Sequence, residues 1–354
     1  MPLLSSPKHG ASRNRLPLLA LILLLLVSCA PDTGPAMDNT APPRFGGWIT
    51  YWDFAAGLRT VTANPGAFSD IYFFAAVLTP EGRPVLYDPG LPVDAAVSRL
   101  KARNIRVWLT VVNDIVPTGP KGAVLKDPDA IHAMLSSPGR RQAHIRDLCR
   151  LAGSHGFQGL DIDYENLNYA DRDAFSHFIA ELKTALAARG LALSVTVQPK
   201  TADRKGQGPG AMDWSALCSD SDQLQIMLYN LHSSKTGPGP LATLDWLRDV
   251  MTFAAGRCST DKLVPVLKTS GMQWNSTTAR DLNHRQIREL AALFAPGIER
   301  DPDGTPYLTY KRDRQRNTVY FEDRSSLQRK TETLRQLGFR RISLWRIAPD
   351  GFIP

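Results

Sequence analysis

From residue 46 onward the chain alternates short apolar runs with amphipathic stretches, and this alternation constrains the fold more than any other feature. The apolar runs fall at 47–52, 70–78, 105–112, 159–165, 191–198, 223–230, 263–269 and 341–346. Helical patterns lie between them at 93–103, 140–154, 171–189, 241–255, 284–294 and 325–337. In 171–189, Phe175, Phe178, Ile179, Leu182 and Leu186 share the spacing of one helical face. Gly156, Gly190, Gly256 and Gly338 follow helical runs, where a C-terminal cap is expected. Eight strands mostly followed by helices predict an α/β fold, a (β/α)8 TIM barrel, with chemistry at the C-terminal ends of the strands. One segment, 271–323, breaks the repeat. Its β-like runs at 307–310 and 318–321 predict a small α+β insertion between strand 7 and its helix, forming one wall of a cleft.

The first 45 residues read differently. Lys8, Arg13 and Arg15 precede a short apolar stretch, 18–27, that ends in Leu26-Val27-Ser28-Cys29. The stretch is too short for a comfortable membrane span and has the plan of an export signal. Its end looks like a lipobox, which makes 1–28 a lipoprotein signal peptide and Cys29 the lipidated residue of an exported protein anchored to the bacterial cell envelope. Cleavage near Ala30 as an ordinary signal peptide is the alternative. Ala30 after Cys29 points to the outer membrane if the cell has two. Residues 29–45, rich in Pro, Thr and Ala, read as a flexible tether, and 46–354 as one domain. The net charge falls from +8 to +5 when the three leader cations are removed, a mild excess that reads first as a solvated surface and second as an aid in approaching an anionic cell wall. No nucleic-acid motif is present, and the domain is expected to be a monomer. Cys218 and Cys258 each stand shortly before an apolar run, at the same end of neighbouring strands, so a disulfide between them fits an oxidising compartment. Cys149 lies in a helical pattern and is expected to be buried and inert.

The fourth run carries the chemistry. In Gly159-Leu160-Asp161-Ile162-Asp163-Tyr164-Glu165 the carboxylates alternate with apolar residues, so a strand sends all three acids to one face. Crowded carboxylates push each other's pKa values apart and can hold one protonated, which suits proton transfer. The alternatives are a solvated strand face or a cation site. No His or Cys spacing suggests a metal, and nothing calls for a cofactor.

On these residues the chain resembles glycoside hydrolase family 18, the chitinase-like barrels. The family's fourth-strand motif, D-G-x-D-x-D-x-E, is matched by 158–165, with Gln158 in place of the first Asp. The sixth-strand motif is matched by Met227-Leu228-Tyr229-Asn230, with Asn230 in place of the usual Asp. Ser343-Leu344-Trp345-Arg346 is similar to the family's terminal tryptophan strand, and the first strand ends in Tyr51-Trp52. The run 320–325 resembles a segment of bacterial members, wall-active ones included. The likeness spans nearly the whole chain after the tether.

The resemblance implies a retaining hydrolase of β-1,4-linked N-acetylglucosamine polymers, chitin or its oligomers, acting by substrate-assisted catalysis. It implies Glu165 as general acid and base, Asp163 as the group that orients the substrate's acetamido group, and Asp161 as a partner sharing a proton with Asp163. Tyr229 would donate to the acetamido group and Trp345 would floor the sugar site, with Tyr51, Asn230, Met227 and Trp274 as further substrate-binding residues. Trp52 and Trp108 are either sugar platforms or packing. A peptidoglycan glucosaminidase is the close alternative. A non-catalytic glycan-binding protein and a wall-tethered scaffold are alternatives of another class.

Overall fold

The computed structural model describes residues 44–116, 122–295, 297–347 and 353. Cys29, the predicted signal peptide and most of the predicted tether lie outside the described residues.

Strands β1 (Phe45–Thr50), β2 (Phe68–Leu78), β3 (Pro84–Leu86), β4 (Arg106–Ile115), β5 (Gly159–Asp163), β6 (Ala192–Val197), β7 (Gln223–Met227) and β8 (Leu263–Lys268) precede an inserted unit. That unit holds β9 (Gly271–Trp274), β10 (Ala279–Leu282), β11 (Ile298–Arg300), β12 (Pro306–Arg312) and β13 (Gln315–Phe321), and β14 (Ser343–Trp345) closes the series. The helices are α1 (Phe54–Ala63), α2 (Val93–Lys101), α3 (Pro128–Leu135), α4 (Pro138–Ser154), α5 (Arg172–Ala187), α6 (Trp214–Ser219), α7 (Leu244–Ala255), α8 (His284–Phe294) and α9 (Arg324–Gln336). Eight parallel strands run in the order β1-β14-β8-β7-β6-β5-β4-β2, and β1 pairs with β2 to close the ring. This is the predicted (β/α)8 barrel. β3 adds to β2 antiparallel. The elements β3, α1, α3 and α6 were not among the predicted ones; β3, α3 and α6, at eight residues or fewer, are too brief to establish a period.

The barrel separates two apolar cores. Between strands and helices, Leu160, Ile162 and Tyr164 pack with Phe175, Phe178, Ile179 and Leu182, the face that α5 was expected to bury. Inside the barrel, Trp48, Tyr72 and Trp108 stack, with centroids 4.7 Å apart for Trp48–Tyr72 and 5.6 Å for Tyr72–Trp108. Gly159 opens β5 because the Trp108 ring fills its side-chain space: a Cβ there would lie 2.3 Å from the indole. Every residue of β5 is buried, so its alternation separates two buried faces rather than a wet face from a dry one.

The insertion is a five-stranded sheet in the order β10-β9-β13-β12-β11. Ile287 and Leu290 of α8 cover it, packing on Leu308, Tyr310, Val319 and Phe321. Its ties to the barrel include the following. Lys268 at the end of β8 pairs with Asp281 on β10 at 2.6 Å. Trp274 Nε1 donates to the Ser233 carbonyl at 3.0 Å. Glu322, just after β13, forms a buried ion pair with Lys330 of α9. Cys218 and Cys258 are joined in a disulfide linking α6 to the turn after α7, and Cys149 is free and buried.

Candidate active site

The three acids stand at the outlet of β5, and each has a different environment. Asp161 faces the barrel interior and is fully buried. Its two oxygens accept from the Thr196 and Thr110 hydroxyls, both at 2.9 Å, and Thr110 accepts in turn from Trp48 Nε1 at 3.0 Å. Burial pushes its pKa up, against the pull of these hydroxyls. Asp163, two residues on, is also buried. Its carboxyl is pushed well above the usual range, first by burial and then by Glu165 and Asp161, with Lys126 opposing. Its Oδ1 is buried and has no hydrogen-bond partner. The expected proton sharing between Asp161 and Asp163 is not the arrangement here. Each Asp161 oxygen accepts from a threonine, and Asp163 leans the other way, with Oδ2 3.7 Å from Lys126 Nζ.

Glu165 lies beyond the strand, which ends at Asp163, and its side chain is 20% exposed. Its backbone is clamped at both ends: its N–H donates to Asn113 Oδ1 and its carbonyl accepts from Asn113 Nδ2, both at 2.9 Å. Asn113 is fully buried on β4 and also donates to the Asp127 carbonyl at 3.1 Å. One side chain therefore fixes the positions of Glu165 and of the segment that leads into α3. On that segment Lys126 reaches back, its Nζ 2.9 Å from Glu165 Oε1. Burial works against its charge, but Asp163, Glu165 and Asp114 outweigh that and hold its pKa above the usual value. The acidic row is thus neutralised in part by a cation that sequence reasoning missed. Its only signal was the Asp127-Pro128 helix start beside it, in the connection after the third barrel strand.

Aromatic residues complete the outlet. Phe74 lies 5.4 Å from Lys126 Nζ, 5.1 Å from the Trp345 ring and 5.7 Å from the Trp52 ring. Tyr51, Met227, Tyr229 and Trp345 all join the barrel-interior cluster, so the structure brings these four predicted residues together. Tyr51 stacks on Tyr87 at 3.9 Å, and burial and Tyr87 push its pKa up to about 12. The Tyr229 hydroxyl is also held well above its ordinary value, by burial first and then by the charges of Asp163 and Glu165. Asn230 is exposed with φ 65°, a left-handed backbone that asparagine adopts more readily than most residues. Trp274 is a correction. It is 3% exposed and packed on Leu241 and Met272, so its ring has no open face for a sugar. Trp108 is likewise packing, whereas Trp52 is 48% exposed and Tyr87 41%. Gln158 accepts from the Val107 N–H at 3.2 Å, at the start of β5 and the far end from Glu165. Among the described residues no group of three or more His, Cys, Asp or Glu side chains is placed to hold a metal ion.

The outer face of the same strand end is anchored by Tyr164 and His144 of α4. His144 Nδ1 lies 3.0 Å from the Gly82 carbonyl, which can only accept, so Nδ1 carries the proton. Nε2 then accepts from the Tyr164 hydroxyl at 2.7 Å. Burial lowers the His144 pKa to about 4. The native state keeps this ring neutral while the unfolded chain protonates it near pH 6.5. His144 therefore stabilises the fold above pH 6.5, and that contribution, up to about 3 kcal/mol, is lost as pH falls through about 4. Thermal unfolding of the wild type between pH 7 and 4 should show this loss, and His144→Gln should be flatter over the same window. Parallel curves would remove His144 as the cause.

Comparison with known proteins places this geometry. Residues 125–350 match the family described as glycosyl hydrolases family 18. The chain is 27% identical over 234 residues to the putative sporulation-specific glycosylase of Bacillus subtilis (strain 168), covering 64% of this chain and 55% of that protein, so it spans about half of that relative's length. Among solved structures, the chitinase from Chromobacterium violaceum ATCC 12472 superposes with a TM-score of 0.76 at 25% identity, over 86% of this chain and 94% of that one. The Bacillus megaterium QM B1551 spore cortex-lytic enzyme shares the fold, with a TM-score of 0.73 at 20% identity over 87% of this chain and 72% of that one.

Proposed function

The chain belongs to family 18 of the glycosyl hydrolases and is a glycoside hydrolase, and on that premise we propose that it cleaves β-1,4-linked N-acetylglucosamine polymers with retention, by substrate-assisted catalysis. The observation that carries this reading is Asp163 Oδ1, a buried acceptor with no partner in the row of acids. A buried unpaired acceptor is costly, and an acetamido N–H is the donor that would satisfy it. With that group held, its carbonyl oxygen attacks C1 of the sugar. The C1–O4 bond breaks, its electron pair goes to the leaving oxygen, and Glu165 supplies the proton. Water then attacks C1 of the oxazolinium, Glu165 takes up the proton released, and the acetamide re-forms. Tyr229 donates to the acetamido oxygen during the attack, Asp161 acts on Asp163 through its charge without a shared proton, and Trp345 floors the sugar.

Chitin oligomers are the first substrate on this reading. Bacterial wall glycan is the second, favoured by the cation beside Glu165. We also propose export through residues 1–28 and lipidation at Cys29, with action as a monomer at the cell envelope. The Cys218–Cys258 disulfide suits that compartment. The test is digestion of chitin oligomers and of purified sacculi by the protein starting at Ala30, with the products sized. Shortened glycans from either substrate support the reading. Binding without any cleavage would replace it with a glycan-binding protein.

A further inference from the structure

Lys126 is built into the site at some cost. Its backbone sits at φ 56°, a conformation that disfavours any residue with a Cβ. The strain is held from both sides: its N–H donates to Asp114 Oδ1 at 2.9 Å, and the next residue is fixed by Asn113 and by capping α3. The result is an ammonium group between the acid and the acetamido-orienting carboxyl, 2.9 Å from Glu165 and 3.7 Å from Asp163, with a side chain 21% exposed.

Offsetting the acidic row explains a cation here, but Lys126 makes its shortest contact with Glu165, the acid that must carry a proton for bond cleavage. When Glu165 carries its proton, Lys126 loses its nearest anion and keeps only the longer contact to Asp163 and the charge of Asp114, so a further anion beside this largely buried ammonium is favourable. The substrate can provide one. Glu165 protonates O4 of the sugar on the leaving side. In a bacterial wall glycan that sugar carries a lactyl ether on O3, the adjacent oxygen, and the ether ends in a carboxylate. A chitin unit carries only a hydroxyl there.

We propose that Lys126 is a specificity-determining residue that pairs with the lactyl carboxylate of the leaving-side sugar, directing the enzyme to glycans that alternate N-acetylglucosamine with its 3-O-lactyl derivative. Pairing with the substrate moves the ammonium from Glu165 to the lactyl carboxylate. Only an anionic ligand makes this exchange, because a shift between two arrangements needs a difference in affinity between them. The inference rests on the glycosidase reading above.

Three matched glycans test it: a peptide-free wall glycan, the same glycan with its lactyl carboxyls reduced to alcohols, and a chitin oligomer of equal length. The readout is the ratio of kcat/KM on the acidic glycan to that on its reduced form, so any general loss of activity cancels. Wild type should favour the acidic form by about 10- to 100-fold, the range for a hydrogen bond to a charged group. Lys126→Met and Lys126→Gln should bring the ratio close to one, and Lys126→Arg should keep most of it. A ratio unchanged by the neutral variants, or a wild-type ratio near one, overturns the role of Lys126 while leaving the glycosidase reading intact if chitin is cut. A wild type inert on all three glycans overturns both.

Discussion

Glu165→Gln should lower turnover of an N-acetylglucosamine oligomer by about 10³-fold or more, the scale of a positioned general acid and base. Glutamine keeps the size of the side chain and the backbone clamp from Asn113, which holds only the main chain of residue 165. Oligomer affinity should therefore change little, and the loss should fall on kcat. The variant also removes the nearer anion from Lys126, leaving Asp163 as its remaining close partner. Isothermal titration with an uncut oligomer, beside the rate measurement, separates the two consequences. Unchanged rates would mean that the acid at the outlet of β5 takes no part in bond cleavage.

Asp163→Asn should lower kcat by about 10²- to 10³-fold, the usual effect of removing one group aimed at developing charge. The side chain keeps an oxygen acceptor but loses the negative charge opposite the oxazolinium. The same substitution should raise stability at neutral and alkaline pH. The folded pKa of Asp163 is raised, so its contribution is full below the ordinary carboxylate range and is lost as pH rises through the folded value. Asparagine has no such loss. A less active, more heat-stable protein at pH 8 is the expected outcome, a cost of keeping an ionisable group where only function calls for it. An Asp163→Asn protein that is both fully active and no more stable would contradict this account of the row.

The barrel was legible because period and length agreed: eight apolar runs with helical faces between them leave few other closed arrangements. The acidic row was legible for the same reason, since strand alternation alone places Asp161 and Asp163 on one face. The reading failed where position depends on irregular backbone. Glu165 leaves the strand, and its placement comes from Asn113, a residue in another strand with no local pattern to mark it. Lys126 reaches the acids from a loop residue at positive φ, which no periodicity encodes. Trp274 shows the opposite error. Its aromatic character suggested a sugar platform, but burial decides between platform and packing, and burial in the insertion follows from β9 and β13 pairing, a contact between residues distant in sequence. The threonines that donate to Asp161 come from β4 and β6, so these partners emerge only once those strands flank β5.

The central claim is that an acetamido group held at Asp163 attacks from one face while Glu165 protonates from the other. Proton NMR of a chitin oligomer digest in its first minutes tests it most directly. The account predicts that the new reducing end appears as the β-anomer and relaxes slowly to the mixture. Initial appearance of the α-anomer, or no new reducing end from well-folded protein, would contradict it.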